Sequence, residues 1–168
     1  MSFFRRFIFI SAALVIAAPM SVMADETPHP AEAAEPLSAA QLSRIYRGRT
    51  WVWPQGAGYF SPKGRTFTAW SREGGEPSVG KGRWFPTTDG RICFRAVWTF
   101  AGGAKRDVTC FSHRYDDTSV YQRREPGGEW YVFDDRRRFG DEYAKLVRGD
   151  RASLRYDVLL AEINESTR

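Results

Sequence analysis

Few side chains in this sequence have the chemistry to react or to hold a ligand. Cys93 and Cys110 are the whole thiol complement, and His29 and His113 are the only histidines. A general base needs an orienting carboxylate and a nucleophile or water within hydrogen-bond reach. His113 has Tyr115, Asp116 and Asp117 beside it, but no G-x-S-x-G turn, reactive cysteine or metal-spaced histidine pair accompanies it. A structural histidine at a strand end is the simpler reading. Glu125, Glu129, Asp134 and Asp135 could converge as paired carboxylates of the glycosidase kind, although they fall in turns, where solvated acids are usual. No metal and no cofactor is expected, since the soft ligands are so few.

Aromatic loading is the stronger signal: the chain holds six Trp, seven Tyr and twelve Phe. Trp51, Trp53, Trp70, Trp84, Trp98 and Trp130 lie in or beside expected strands, and most should fill a core. The remainder, interleaved with Arg83, Arg95, Arg123 and Arg124, would form an open face or barrel mouth for sugars or an acidic partner. Aromatic faces stack on sugar C–H surfaces, and arginine forks hold carboxylates. The ligand-binding candidates are therefore Arg95, His113, Tyr121, Arg123 and Trp130, on or beside the sheet formed by the 91–133 strands, with Trp98 as core. Arg136, Arg137 and Arg138 read as a solvated loop.

The elements that would position these groups are mainly β. Ser38 and Gln41 form a capping box, with Leu37 and Leu42 as a hydrophobic staple, for a short helix that Gly48 can close. From Thr50 to Asp134, short aromatic and β-branched runs alternate with turn residues every eight to twelve positions. That pattern predicts an antiparallel meander of about eight strands forming a small barrel or sandwich. Ile92, Phe94, Ala96, Trp98 and Phe100 alternate onto one face, which must be core. A turn centred between Ala101 and Gly102 then sets Cys93 opposite Cys110, at the separation a disulfide needs. Beyond Phe133 one or two helices are expected: one carrying Tyr143, Leu146 and Val147 and ended by Gly149, and one over 152–163, where Leu154, Val158 and Ala161 fit a helix while Leu154, Tyr156, Val158 and Leu160 fit a strand equally well.

Residues 1–24 read as a cleavable signal: Arg5 and Arg6, an apolar run from Phe7 to Ala18, then Val22 and Ala24 as the small residues before the cut. The apolar run is too short to cross a hydrocarbon core of ~30 Å, so no stable membrane span is expected after cleavage. Residues 25–36 read as a flexible acidic leader, and 37–168 as a single domain. Export also favours pairing of the cysteines. The 25 basic residues exceed the 20 acidic ones, and losing Arg5 and Arg6 leaves a net charge of about +3. That is too mild for a nucleic-acid partner and more consistent with attraction to anionic envelope polymers.

The ordered segments GYFSPKGRTFTAW, GKGRW, GRICFRAVW, CFSHR, YQRREPGGEWYVF and LVRGD resemble a family of small exported proteins of Gram-negative alphaproteobacteria, known as a domain of unknown function. The resemblance implies an envelope location and carries no catalytic residues. A looser similarity, in architecture only, is to lipocalin-like barrels, whose G-x-W signature is absent at Gly48-Arg49-Thr50-Trp51.

The expectation is a periplasmic, non-enzymatic binding or envelope-maintenance protein that recognises a glycan, lipid or envelope protein. The alternatives are an inhibitor or partner of a secreted hydrolase and, second, a hydrolase centred on His113; no oligomeric state follows. Mass spectrometry of the exported protein should find Asp25 at its N-terminus, and a full-length product held in the inner membrane would refute the cleavage.

Overall fold

Nine strands of the protein follow one another across a single curled sheet, and a tenth extends it. The computed structural model describes residues 27–135 and 140–167. The strands are β1 (Glu35–Pro36), β2 (Arg49–Trp53), β3 (Gly56–Phe60), β4 (Thr66–Ser71), β5 (Ser78–Pro86), β6 (Arg91–Phe100), β7 (Gly103–Tyr115), β8 (Ser119–Glu125), β9 (Tyr131–Asp135) and β10 (Leu146–Arg148). The sheet runs β10-β2-β3-β4-β5-β6-β7-β8-β9, all antiparallel, and β1 pairs with β7 where β6 has ended. The meander curls into a half-barrel, as short turns between antiparallel neighbours allow. Helix α1 (Ala39–Tyr46) enters the concave side, and α2 (Ser153–Ser166) lies on the convex side against β4 and β5.

Helix α1 starts as its sequence dictates. Ser38 Oγ accepts from the Gln41 amide at 3.3 Å, and Gln41 Oε1 accepts from the Ser38 amide at 2.8 Å. Leu37 and Leu42 are both buried. The helix drives Leu42 and Tyr46 into a core with Phe60, Phe67, Trp84, Ile92 and Phe133. One end of the half-barrel is thereby filled.

The β6–β7 hairpin has the expected register, with Phe100 opposite Gly103 and Cys93 opposite Cys110. The two cysteines form a disulfide across a Cα separation of 4.1 Å. β7 runs on past the end of β8, which pairs only with residues 110–115. The free edge at 103–109 carries Lys105, Arg106 and Asp107, charges of the kind that discourage edge-to-edge pairing.

Three expectations need correction. Residues 27–36 are docked rather than a flexible leader: Pro30–Glu32 form a 3-10 turn, Ala31 and Ala34 are buried against Tyr121, and Arg114 donates to the carbonyls of Ala31 (3.1 Å) and Glu32 (2.8 Å). Small alanines let the segment lie flat on the sheet, which its polar composition disguises. Leu146 and Val147 belong to β10, paired with Trp51 and Thr50, and only a 3-10 turn at Glu142–Lys145 precedes them. Thr50 holds that strand's exit, donating to the Gly149 carbonyl at 2.7 Å and accepting from the Arg151 amide at 2.9 Å. Helix α2 forms, but its buried stripe is Tyr156, Leu159 and Ile163, while Leu154 and Val158 face outward. The expected meander of about eight strands is present as β2–β9, curled into a half-barrel, with β10 added beside β2 and β1 beside β7. The run 136–138 lies outside the described residues.

The disulfide closes a loop with a sequence separation of 17, which by loop entropy should contribute about 3 kcal/mol. Urea unfolding of Cys93→Ala/Cys110→Ala against the native protein should show that loss. Coincident unfolding curves would refute it.

Candidate functional site

Strand register sorts every side chain of the meander to one of two faces. On the concave face, successive rows read Trp53–Gly56–Ser71–Ser78–Phe100, then Trp51–Gly58–Ala69–Gly80–Trp98–Lys105, then Phe60–Phe67–Gly82–Ala96–Asp107. In the first two rows large rings thus stand on β2 and β6, and small residues occupy β3 to β5 between them. The end not filled by α1 is a bowl of about 710 Å³, within the usual range for a small-molecule site.

The glycines determine how the rings lie. A Cβ at Gly80 would meet the Trp98 indole at 2.9 Å, and one at Gly58 would meet the Phe67 ring at 2.9 Å. At Gly56 the overlap with the Trp53 indole would be closer still. With no side chains there, the Trp53 and Trp98 indoles lie over the glycines of the adjoining strands and Phe67 packs over Gly58. Below them Phe67 and Phe94 stack with centroids 4.4 Å apart, and Trp51 meets Phe111 edge-on at 5.0 Å. Such aromatic pairs contribute about 0.5–1.5 kcal/mol beyond their buried area, so the floor is rigid. The Ser71, Ser78 and Thr109 side chains interrupt the aromatic lining. Glu73, Lys105, Asp107, Arg124, Glu142 and Lys145 form a rim of both charges, with Lys145 paired to Glu142.

The filled end holds a polar network. His113 is fully buried; the Phe111 carbonyl, 3.1 Å from Nδ1, can only accept, so Nδ1 carries the proton. Nε2 then accepts from the Tyr46 hydroxyl (2.8 Å) and the Gln122 amide (2.7 Å), which also donates to Tyr46 at 2.8 Å. The Tyr131 hydroxyl donates to Gln122 Oε1. Burial pushes the His113 pKa down to about 3, against a smaller opposing effect of the Phe111 carbonyl. Burial likewise raises Tyr46 and Tyr131. The ring is therefore neutral and enclosed, held in place by Phe111, Tyr46 and Gln122.

The five residues expected to share a ligand site do not converge. Tyr121, Arg123 and Trp130 cluster on the convex face. The Arg123 guanidinium lies 4.6 Å from the Trp130 ring centroid and pairs with Glu125 at 2.9 Å, while Arg114 covers the same ring at 5.5 Å. Tyr121 donates to Asp116 at 2.5 Å and meets His29 edge-on at 5.5 Å. The cluster clamps the N-terminal segment. Arg95 is on the same face but across β7, facing Val108 whereas Arg123 faces Ser112. His113 is on the concave face. Trp98, expected as core, walls the bowl. The missed signal was the run of small residues at alternate positions, Gly56, Gly58, Ala69, Ser71, Ser78 and Gly80, beside strands rich in Trp. Among the described residues no cluster of three His, Cys, Asp or Glu side chains could hold a metal ion, and no helix is long and apolar enough to cross a membrane.

The chain belongs to the family described as "Protein of unknown function (DUF995)", which matches residues 11–152. No curated protein and no solved structure matches it.

Because the His113 pKa lies near 3 when folded and at 6.5 when exposed, protons below pH 6.5 bind the unfolded chain first. The stability contributed by the neutral ring is whole above pH 6.5 and is lost as pH falls toward 3. Between pH 6.5 and 5, before carboxylates titrate, urea unfolding should show stability falling by up to ~1.4 kcal/mol per pH unit, and His113→Gln should flatten that slope. Native-state NMR in which the ring titrates near pH 6.5 would contradict the assignment.

Proposed function

We propose that this DUF995 protein is a non-enzymatic binding protein of the periplasm, exported by the 1–24 signal, and that its ligand is an envelope glycan seated in the aromatic bowl. The observation that carries this reading is the pairing of flat-lying Trp53 and Trp98 with glycines on the adjoining strands. A sequence that needed only a filled core would put larger side chains at those glycines. Instead, backbone entropy is spent on glycine in strands and a concavity lined by ring faces remains.

Sugar rings suit such a surface because their C–H faces stack on aromatic faces while their hydroxyls need hydrogen-bond partners around the edge. Ser71, Ser78, Thr109 and the charged rim supply those partners. An acyl chain would favour a deep apolar shaft, and here α1 and the Phe floor close the inner end. The reading likens this use of a curled sheet's interior to lipocalin-like barrels, and it places the protein in an alphaproteobacterial envelope.

Titrating intrinsic tryptophan fluorescence with peptidoglycan fragments, lipopolysaccharide-derived oligosaccharides and lysophospholipids tests it. A saccharide arm should saturate, and Trp51→Ala and Trp98→Ala should each weaken it at least tenfold. Arg123→Ala, on the other face, should stay within twofold. Saturation by the lipid arm alone, or full binding by both tryptophan variants, would overturn the glycan reading.

A further inference from the structure

We infer that the convex face of β5, β6 and β7, with the neighbouring α2, docks on an anionic phospholipid bilayer. This surface is distinct from the bowl on the other side of the same strands. Arg83 on β5 stands directly opposite Arg95 on β6, and in the next outward-facing row Lys81, Val97 and Arg106 follow across three strands. All four cations are exposed. Like charges directly opposite in an antiparallel pair are destabilising, and no acidic side chain among the described residues pairs with any of the four. The nearest ring contacts are Phe85, 5.9 Å from the Arg95 guanidinium, and Tyr156 of α2, 5.6 Å from Lys81 Nζ. Folding therefore concentrates repulsion here without relieving it. Anions from outside would relieve it.

Apolar side chains set among these cations decide which anion source fits. Val97 is 41% exposed and Val108, opposite Arg95, is 50% exposed. On α2, which packs its other side on β4 and β5, Leu154 is 82% and Val158 49% exposed, four residues apart on one helix face. Arg151 and Arg155 adjoin them, and Asp157 is the acidic residue nearest in sequence. A soluble acidic polymer would engage the cations and leave the valines and Leu154 in water. A bilayer surface offers phosphates to the cations and an interfacial zone to the apolar groups, the combination that peripheral membrane elements use.

The test uses the exported, disulfide-bonded protein in co-sedimentation with phosphatidylglycerol-containing vesicles and with pure phosphatidylcholine vesicles. Binding should require phosphatidylglycerol and fall steeply with added salt. Arg83→Glu/Arg95→Glu should weaken it at least tenfold, given roughly fivefold per cation near an anionic surface. Leu154→Ser/Val158→Ser should weaken it severalfold with the salt response retained, and Trp98→Ala should bind vesicles as the native protein does, which separates this surface from the glycan reading. Circular dichroism confirms that each variant is folded. Equal binding to both vesicle types, unaltered binding by the charge-reversal variant, or binding to a soluble acidic polysaccharide with none to vesicles would each overturn the inference.

Discussion

The bowl rests on a steric exchange between adjoining strands: where β3 and β5 carry glycine on the concave face, β2 and β6 lay an indole across the gap. Gly56 accommodates Trp53 and Gly80 accommodates Trp98, so two tryptophans are held flat without filling the space above them. The same small residues let the sheet curl tightly. At Gly82 a Cβ would run into the backbone of Arg95 and Ala96 on β6, an approach that larger side chains would forbid. Curvature and an open concavity thus have a common cause in the sequence.

A concave sheet of this kind must be plugged at one end or lose its core to water. Helix α1 does this, and it carries Tyr46 to His113 and Gln122, so the plug is held by hydrogen bonds as well as by Leu42 packing. Each buried polar group in that network has a partner, which is the condition under which burying it is tolerable. Aromatic contacts spread from the same tyrosine to Trp51, Phe60 and Phe133. The filled end therefore supports the bowl's wall directly at Trp51.

What the sequence disclosed follows from the range of the interactions concerned. The capping box at Ser38 and the register that joins Cys93 to Cys110 depend on neighbours a few residues away or on one tight turn, and both were legible. The docking of 27–36, the strand at Leu146–Arg148 and the buried stripe of α2 depend on partners far along the chain, so periodicity misread them. For the site, alternation told which side of a strand a residue takes but not whether that side is filled. Trp98 looks the same in either case. Only Gly80, opposite it on the neighbouring strand, distinguishes a wall from a core.

Because side chains alternate across a strand, β5 and β6 serve two surfaces at once: Gly80 and Trp98 belong to the bowl, while Lys81, Arg83, Arg95 and Val97 face the other way. A slip of one residue between these strands would exchange the two sets, putting arginines among the rings and tryptophan in water. The Cys93–Cys110 bridge fixes β6 against β7 two residues along from Arg95 and Val108, which pins the register of that pair for both faces. Substitutions on one face can then alter its side chains while leaving the other face's geometry in place, so the bowl and the charged back can vary separately on the same strands.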